Sequence, residues 1–465
     1  MLKTAALTLE LDTLGGDIRT VVLNQHQAAE ARDKRFQLLG EGVGNPYYIT
    51  QSGLVPQGLP NHNSKFAPSA KAFELKQTDT QLEARMEATG ADGVRLVKIY
   101  RVRNAAKPTS ITTNPYVVDV SFEVTNASPQ AITPTAYFQL LRDNTAPPGG
   151  QRFVSTYTGP ALFTQVDKFK KVSFDDIDED KTKDPWVAKD GWIGIMQHYF
   201  VAAWLPQGAV QRDFYMGTVD GKYRVGVKLP MGTIEPGKTA TLTMPLYLGP
   251  QEVSNLKALA PGLDFTVDYG WLTVLASPLY WVLEKIHSLV GNWGVAIILL
   301  TVLIKLIFFP LSAASYKSMA RMKVVAPKLQ KLKEQFGDDR QKMSQAMMEM
   351  YKKEKINPLG GCLPIAVQIP VFIALYWVLL NSVELRQAPF VGWIKDLSIP
   401  DPFYVLPVIM AISMFIQTKL NPPPPDPVQA KIMLWMPLVF SVMFFFFPAG
   451  LVLYWVVNNV LSIAQ

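Results

Sequence analysis

A lysine inside a long apolar run is the residue of this sequence whose type and position most clearly indicate chemistry. Lys305 lies in TVLIKLIFFPL, and the polar end of this run at Tyr316–Lys317 is about 17 Å away at the helical rise per residue. A charge surrounded by lipid costs at least ~2.5 kcal/mol, so this amine needs a partner or water. Thr301 lies one helical turn earlier on the same face.

No Asp or Glu occurs in the apolar runs of the chain, so a carboxylate from another run is excluded as a partner. The polar residues in or beside the other runs are Gln368, Ser413, Gln417, Ser441, Asn458 and Asn459. These residues leave two interpretations open. Lys305 is either an uncompensated cation in a water-filled groove, where it attracts an acid from outside the chain, or a lysine that hydrogen-bonds to polar neighbours for packing only.

Five apolar runs predict five transmembrane helices. They are Trp293–Leu311, Leu363–Leu380, Phe403–Ile416, Ile432–Phe447 and Leu451–Ile463. Several are shorter than the ~20 residues that a bilayer requires, and short spans thin the membrane around them. The loop 314–357 contains many more basic than acidic residues and is therefore predicted to be cytoplasmic, which places the first 260 residues on the other side.

This basic loop has a helical period that is interrupted once, which predicts a cytoplasmic helical hairpin at 314–357. Met319 and Met322 belong to the first helix, 337–339 break the chain, and Met343 and Met347 belong to the second. Methionine suits promiscuous apolar surfaces, so these side chains either contact emerging hydrophobic segments or form the core of the hairpin.

Residues 261–291 connect a soluble part to the first apolar run. From Trp271 to Gly291, apolar residues recur at helical spacing, polar residues occupy the other side, and Trp271, Tyr280 and Trp281 favour the headgroup zone. We predict an amphipathic helix on the membrane surface; the alternative is an ordinary helix that packs against its own domain.

Residues 1–260 have the alternation of an all-β sandwich, for example at Leu7–Leu11, Val118–Val124 and Leu242–Leu246. Two interpretations apply to Tyr137, Phe138 and Trp192: they line a sugar or peptide groove, or they belong to the core, which is favoured for aromatic residues in strands. The acidic segment 175–184 is expected to be a solvated loop.

Composition separates a soluble domain from a membrane domain and argues against several classes of function. Charged residues make up only 18% of the chain, and the net charge of +7 is explained by the basic loop rather than by nucleic-acid binding. Cys362 is the single cysteine, and no nucleotide, zinc-protease or serine-hydrolase motif is present. We therefore expect no catalytic residue, no metal ion and no cofactor. The start lacks the apolar core of a signal peptide, so an earlier anchor or signal is expected in the natural protein.

Several motifs of the second half resemble those of the YidC insertases. They are Asn357–Cys362, Pro364, Gln368–Pro370, Ser382–Phe390, Asp426–Pro427, Lys431–Met433, Phe447–Pro448 and Gly450–Tyr454. The resemblance covers about 265–465. It implies a periplasmic all-β supersandwich followed by an α-helical membrane domain of five transmembrane helices with a cytoplasmic hairpin. The family's first transmembrane helix and its basic tail have no counterpart here, so a longer natural protein is expected.

The resemblance also implies a mechanism and a set of site residues. A hydrophilic groove, open to cytoplasm and lipid, would contain Lys305, Thr301, Gln417, Tyr454 and Trp455, and an apolar slide would contain Ile369, Pro370 and Phe372. The family usually has arginine where this chain has Lys305, and lysine loses its proton more readily when it is desolvated.

The resemblance implies a location in the bacterial inner membrane. It also implies five kinds of partner: nascent membrane proteins, membrane lipids, the Sec translocon, the ribosome and signal-recognition components. Two other classes of function remain open. A small-solute transporter would have helices broken by glycine or proline in two matching halves, and no such repeat is visible. An envelope scaffold would depend on its β-domain, so deleting most of residues 1–250 would abolish its function.

Overall fold

In a computed structural model, the chain divides into two units, Met1–Val267 and Asp268–Gln465. The first unit consists mainly of strands and the second of helices. The described residues are 1–28, 33–42, 46–75, 79–90, 92–103, 110–148, 156–182, 185–337, 339–353, 363–420, 431–432, 435–436, 439 and 441–465. For parts of 315–340 and for 363–366, only the backbone is described.

Among the described residues of the first unit, the strands form three sheets. In chain order they are β1 (Leu2–Lys3), β2 (Leu7–Leu11), β3 (Ile18–Gln27), β4 (Arg35–Leu39), β5 (Tyr48–Val55), β6 (Ala67–Pro68), β7 (Phe73–Glu74), β8 (Gln81–Thr89), β9 (Val94–Arg103), β10 (Val117–Asn126), β11 (Thr135–Arg142), β12 (Gly159–Thr164), β13 (Lys168–Lys171), β14 (Trp186–Ala188), β15 (Trp192–Met196), β16 (Phe200–Trp204), β17 (Arg212–Val219), β18 (Lys222–Pro230) and β19 (Thr239–Pro250). The strand orders are β4-β3-β2-β1-β7, β13-β12-β15-β16-β19-β10-β9-β8-β6 and β14-β17-β18-β11-β5.

The sheets pack through the apolar faces that the alternation predicted. In β10, Val118, Val120, Phe122 and Val124 are at most 1% exposed, and the polar residues Asp119 and Ser121 between them are buried too, at 7% and 4% exposed. Phe138 of β11 lies 4.7 Å from Phe122 of β10 and 5.3 Å from Trp204 of β16, between ring centroids, so the nine-stranded sheet faces the sheet that contains β11. The prediction of a β-sandwich followed by a helical domain is confirmed at this level. Phe138 is a core residue, as the favoured interpretation had it.

A lysine and an aspartate form an ion pair inside the β unit. Lys98 of β9 is fully buried, and its amine donates to the carboxylate of Asp17 at 2.7 Å, to the carbonyl and hydroxyl of Ser52 at 2.9 and 2.8 Å, and to the carbonyl of Gly15 at 2.6 Å. Burial lowers the pKa of Lys98 and raises the pKa of Asp17, while the attraction between the two groups opposes both shifts. The pair thereby joins the turn at Gly15 to strands β5 and β9.

Helices form the second unit. The helices whose bounds the described residues define are, in chain order, α1 (Phe174–Asp178), α2 (Val253–Leu259), α3 (Thr273–Val290), α4 (Trp293–Ile307), α5 (Phe309–Phe336), α6 (Arg340–Lys353), α7 (Leu363–Asn381), α8 (Val405–Leu420) and α9 (Ala449–Ala464). Helix α1 falls within the acidic segment that was expected to be a loop, because Ser173 and Asp176 form a capping box at its start.

Helix α9 contacts α4, α7 and α8, and α3 contacts α4 and α7. Four of the predicted apolar runs overlap α4, α7, α8 and α9, and the remaining run, Ile432–Phe447, is described only in part, with helical residues at 432, 435, 436, 439 and 441–443. Within the described part of the chain, no helix has both the length and the apolar character that a membrane crossing requires.

Helix α3 has two different apolar faces. Ala276, Tyr280 and Leu283 are buried, and the Tyr280 hydroxyl donates to the Glu384 carboxylate at 2.6 Å in the turn after α7. The opposite face leaves Val274 and Trp281 84% and 58% exposed, and Trp271, just before the helix, is 79% exposed. A helix that packs on one side and exposes tryptophan on the other has the composition of a membrane-surface helix.

Two residues make the corner between α3 and α4. Gly291 has φ of +68° and ends α3, because its N–H returns to the carbonyl of His287 at 2.8 Å in a conformation that other residues rarely adopt. Asn292 caps α4 by accepting the N–H of Val295 at 3.1 Å. The Asn292 amide also donates to the carbonyl of Phe390 at 3.0 Å, so the start of α4 is fixed to the segment that precedes α8.

Candidate functional site

The amine of Lys305 lies between α4 and α9. Its Nζ donates to Oγ of Ser462 at 2.7 Å, and this hydroxyl donates to the carbonyl of Asn458 at 2.8 Å, one turn earlier in α9. An ammonium group carries three donors, and two of those of Lys305 have no acceptor among the described residues. The side chain is half-buried. It is therefore oriented by one hydroxyl and keeps two donors for water or a ligand.

Backbone electrostatics favour a positive charge at this place. Lys305 occupies the last turn of α4, where unpaired carbonyl groups make the helix end negative and stabilise a cation by roughly 0.3–1 kcal/mol. The sequence placed Lys305 near the middle of the run Trp293–Leu311. The helix ends earlier, because Pro310 has no N–H to continue the hydrogen-bond ladder and lies in the first turn of α5 instead.

Polar residues of α9 face α8 as well as α4. The Asn459 amide donates to Oγ of Ser413 at 3.3 Å, and both side chains are buried. Gln417 lies one turn after Ser413 and is half-buried. Thr301 is only 1% exposed, and its hydroxyl donates to the carbonyl of Ile297 at 2.7 Å within its own helix. The structure therefore brings Lys305 together with Ser462 rather than with Thr301.

An aromatic cluster joins α7 to α9. The ring of Phe372 lies 4.3 Å from that of Trp455 and 6.0 Å from that of Tyr454, between centroids. On the same helix as Phe372, Ile369 is 49% exposed and Pro370 is half-buried. Three residues predicted for the slide thus lie on one helix, and one of them contacts two residues predicted for the groove.

The opposite end of α9 is held by backbone hydrogen bonds. The N–H groups of Ala449 and Gly450 donate to the carbonyls of Ile399 at 2.8 Å and Leu397 at 2.9 Å. Asp401 stiffens the same segment, since its carboxylate accepts the Trp393 indole N–H at 3.0 Å and the Leu406 N–H at 2.9 Å. This segment also contains the acceptor of Asn292, so the N-terminal ends of α4 and α9 are both attached to it.

Helices α5 and α6 pack against each other. Met343 and Met347 of α6 are half-buried, whereas the side chains of Met319 and Met322 lie outside the described residues. Asp339 caps α6, because its carboxylate accepts the N–H groups of Gln341 and Lys342 at 3.2 and 3.1 Å. These bonds and the Lys342 ammonium lower the pKa of Asp339.

Sequence reasoning missed Ser462, which was absent from the polar residues considered as partners of Lys305. A signal was present: Asn458 and Ser462 are four residues apart and share one face of α9. The register of α9 against α4, however, depends on side-chain packing that helical periodicity alone does not determine.

Comparisons with known proteins cover both units. The family model described as 60Kd inner membrane protein matches residues 285–465, and that described as YidC periplasmic domain matches residues 1–282. The chain is 54% identical to the membrane protein insertase YidC of Nitrosospira multiformis, over 100% of this chain and 80% of that protein. It is 53% identical to the protein of the same name from Methylobacillus flagellatus, over 100% of this chain and 82% of that protein.

A crystal structure described as an active YidC insertase with its first transmembrane domain resolved is 18% identical, with a TM-score of 0.43, and the match covers 99% of this chain and 90% of that one. The family models define a bacterial inner-membrane protein that carries a periplasmic domain. The chain belongs to the YidC family of membrane protein insertases, which confirms the resemblance inferred from the motifs. Members of this family are not enzymes.

Proposed function

We propose that this chain inserts inner-membrane proteins, and helps them to fold, by receiving the polar segment of a client in a groove beside α4 and α9. The observation that carries the proposal is the Lys305 amine, which is held by Ser462 while α4, α7, α8 and α9 contain no carboxylate. An acidic client segment would supply the missing negative charge. Water and the cation would reduce the cost of desolvating that segment.

The apolar segment of the client would then move into lipid along α7. Exposed Ile369, with Pro370 and Phe372 beside it, is the apolar path that we assign to this step. Transfer of the segment to lipid provides about 0.8 kcal/mol for each CH₂ group removed from water, so insertion requires no nucleotide hydrolysis. Thr301, Gln417, Tyr454 and Trp455 complete the proposed groove, which opens to the cytoplasm and to lipid.

We also propose how the parts of the chain are arranged across the membrane. Residues 1–260 form the periplasmic β-sandwich domain, 261–291 the interfacial helix and 292–465 the membrane core, with five transmembrane helices and the cytoplasmic hairpin 314–357. Met319, Met322, Met343 and Met347 of the hairpin contact emerging apolar segments. The protein acts alone or with the Sec translocon, and the hairpin and basic loops receive ribosomes and signal-recognition components.

The test is insertion of a small single-span client with an acidic exported tail into proteoliposomes that hold the full chain. Protease protection of the tail reports insertion. We expect protection well above that in liposomes without the protein, and without added ATP once the client has been synthesised. Protection no greater than in empty liposomes would contradict the proposal.

Removing the Ser462 hydroxyl should slow insertion without abolishing it. In Ser462→Ala, Lys305 keeps its charge but loses its bond to α9, and a hydrogen bond to a charged group contributes about 1.5–3 kcal/mol. Because the amine remains in a wet groove, we expect only part of this energy to be lost, as an initial insertion rate about three- to tenfold lower. Ser462→Thr retains a hydroxyl and should insert at close to the native rate; a rate as low as that of the alanine variant would argue against this orienting bond.

The exposed face of α3 should lie among lipid headgroups. Trp281 is 58% exposed, whereas Trp192 is fully buried in the β unit. The fluorescence of each tryptophan is obtained as the difference between the native chain and its variant Trp281→Phe or Trp192→Phe. We expect lipids brominated near the headgroup to quench the contribution of Trp281 but not that of Trp192. Equal quenching of the two contributions would favour an ordinary packing helix.

A further inference from the structure

A cleft of about 620 Å³ lies over the outer face of the sheet β14-β17-β18-β11-β5. Its volume is within the range of small-molecule sites, roughly 300–1,000 Å³. In β11, Phe138 and Leu140 point to the core, whereas Tyr137 and Gln139 line the cleft. The same alternation brings Asp213 and Tyr215 of β17, and Arg224 and Lys228 of β18, into the cleft. Polar residues therefore cover much of this face of the sheet, together with Leu54, Val55, Leu141 and Val219, while the other face is apolar.

One row of side chains crosses four strands as a hydrogen-bonded chain. Tyr215, Gly226, Gln139 and Gln51 are consecutive cross-strand partners. The Tyr215 hydroxyl donates to Oε1 of Gln139 at 2.7 Å, and Nε2 of Gln139 donates to Oε1 of Gln51 at 2.7 Å. The Gln51 amide nitrogen has no acceptor among the described residues. The row therefore ends in a donor that a ligand can use.

Glycine makes this row possible. A Cβ at Gly226 would lie 2.6 Å from Cβ of Gln139 and 2.8 Å from the hydroxyl of Tyr215, so no larger residue fits beneath them. Gly53 plays the same part in the next row, where a Cβ would lie 2.8 Å from the Tyr137 hydroxyl. Both tyrosine hydroxyls therefore lie close to the sheet and form the floor of the cleft.

In the next row of cross-strand partners, one carboxylate oxygen has no hydrogen-bond donor among the described residues. Asp213, Lys228 and Tyr137 are cross-strand partners. Oδ1 of Asp213 is buried and has no hydrogen-bond partner among the described residues. A buried polar atom of this kind is normally satisfied by a ligand, water or protein group. A ligand in the cleft can therefore supply the hydrogen-bond donor that Oδ1 of Asp213 lacks.

The rim of the cleft is fixed by the buried ion pair of the β unit. His62 hydrogen-bonds to the Tyr137 hydroxyl, and burial lowers the pKa of His62, so the imidazole is neutral at pH 7. The N–H of Gly15 donates to the carbonyl of Ser64 at 2.8 Å, and the carbonyl of Gly15 accepts from Lys98. The loop that carries His62 is thus attached to a buried anchor, so the cleft is preformed.

We propose that this cleft binds a neutral saccharide. The cationic side chains Arg224 and Lys228 are matched by the carboxylates of Asp213 and Asp220, so the lining favours a ligand without net charge. A sugar hydroxyl both donates and accepts, as the unpaired oxygen of Asp213 and the unpaired amide of Gln51 together require. The Lys228 amine, 5.0 Å from the Tyr215 ring centroid, lies beside both rows.

An extended peptide suits the cleft less well. Peptides commonly bind to sheets by pairing with an exposed strand edge. Here the inner strands of the floor, β17, β18 and β11, each pair with a strand on both sides, so their backbone groups are already engaged. Recognition has to use side chains, and the two rows at the centre of the floor offer amides, hydroxyls and charged groups, with Leu141 and Val219 as the apolar residues on the same strands.

Saturation-transfer NMR on the full chain in lipid nanodiscs tests the proposal. The probes are maltose, lactose, cellobiose and N,N′-diacetylchitobiose at up to about 10 mM, a concentration that detects weak binding. Glycoside detergents must be absent throughout, since their headgroups would compete for the same cleft. Asp213→Asn and Gln51→Ala remove the two proposed contacts. Glu235→Gln makes the same kind of carboxylate-to-amide change at an exposed residue outside the cleft.

We expect at least one of these sugars to bind, both cleft variants to weaken its binding about tenfold, and Glu235→Gln to bind like the native chain. Three results would overturn the proposal. These are binding of none of the four sugars, binding that neither cleft variant changes, and displacement of the sugar by a neutral tetrapeptide with higher affinity than the sugar itself.

Discussion

A client with an acidic exported tail should insert at least about tenfold more slowly when Lys305 is replaced by glutamate. Two unit charges 4 Å apart interact by about 4 kcal/mol at an effective dielectric constant near 20, and salt reduces this further in a wet groove. About a third of that energy, roughly 1.4 kcal/mol, already corresponds to a tenfold change. The variant replaces attraction by repulsion, and no carboxylate in α4, α7, α8 or α9 was available to the native amine. The measurement is the initial rate of tail protection in proteoliposomes.

Two further substitutions separate charge from shape. Lys305→Arg keeps the cation and should stay within a few-fold of the native rate, whereas Lys305→Met keeps the length alone and should fall between native and Lys305→Glu. With a client whose tail is basic, the order of the insertion rates should reverse, so that Lys305→Glu inserts it faster than Lys305→Met. Equal rates for native, methionine and glutamate variants with the acidic client would reduce Lys305 to a packing residue, the alternative that the sequence left open.

Replacing Lys98 with methionine should destabilise the β unit by about 3–5 kcal/mol, because it leaves the carboxylate of Asp17 buried without its cation. Asp17 is 2% exposed and keeps only the N–H and hydroxyl of Ser52 as donors, at 3.0 and 2.9 Å. The carbonyls of Gly15 and Ser52 lose a donor at the same time. The measurement is the urea midpoint for loss of the β-sheet circular dichroism signal, on the full chain in nanodiscs.

An exposed ion pair provides the matched control. Lys3 and Glu74 are 3.0 Å apart with side chains 52% and 68% exposed, so Lys3→Met should change the unfolding free energy by at most about 1 kcal/mol. The double variant Asp17→Leu with Lys98→Met removes both charges and should recover most of the lost stability. A double variant as unstable as Lys98→Met alone would show that the backbone acceptors, and not the stranded carboxylate, account for the loss.

Periodicity predicted the elements of this protein better than their ends. The alternation at Leu7–Leu11 and Val118–Val124 identified β2 and part of β10, since successive side chains of a strand point to opposite faces of the sheet. Helix α8 begins at Val405 rather than at Phe403. The Asp401 carboxylate accepts the N–H of Phe403 before the helix and the N–H of Leu406 in its first turn. Such ends depend on hydrogen bonds from neighbouring segments, which an apolar run does not reveal.

The candidate site was predictable in charge but not in geometry. An apolar run without acids was enough to single out Lys305, whereas Ser462 is 157 residues away and meets it only through the packing of α4 and α9. The cleft of the β unit shows the same limit. Gln51, Gln139 and Tyr215 have no sequence spacing in common, and only the pairing of β5, β11, β18 and β17 makes them neighbours.

The attachment of α9 to the segment before α8 has an evolutionary consequence. The carbonyls of Leu397 and Ile399 and the N–H groups of Gly450 and Ala449 belong to the main chain, so drift of the segment's side chains leaves these two hydrogen bonds intact. The side chains at 397 and 399 can therefore change while the attachment of α9 to this segment is retained. The requirements lie in the backbone itself: proline at 449 or 450 would remove a donor, and a Cβ at 450 would lie 3.2 Å from the Leu397 carbonyl oxygen, which would have to shift slightly.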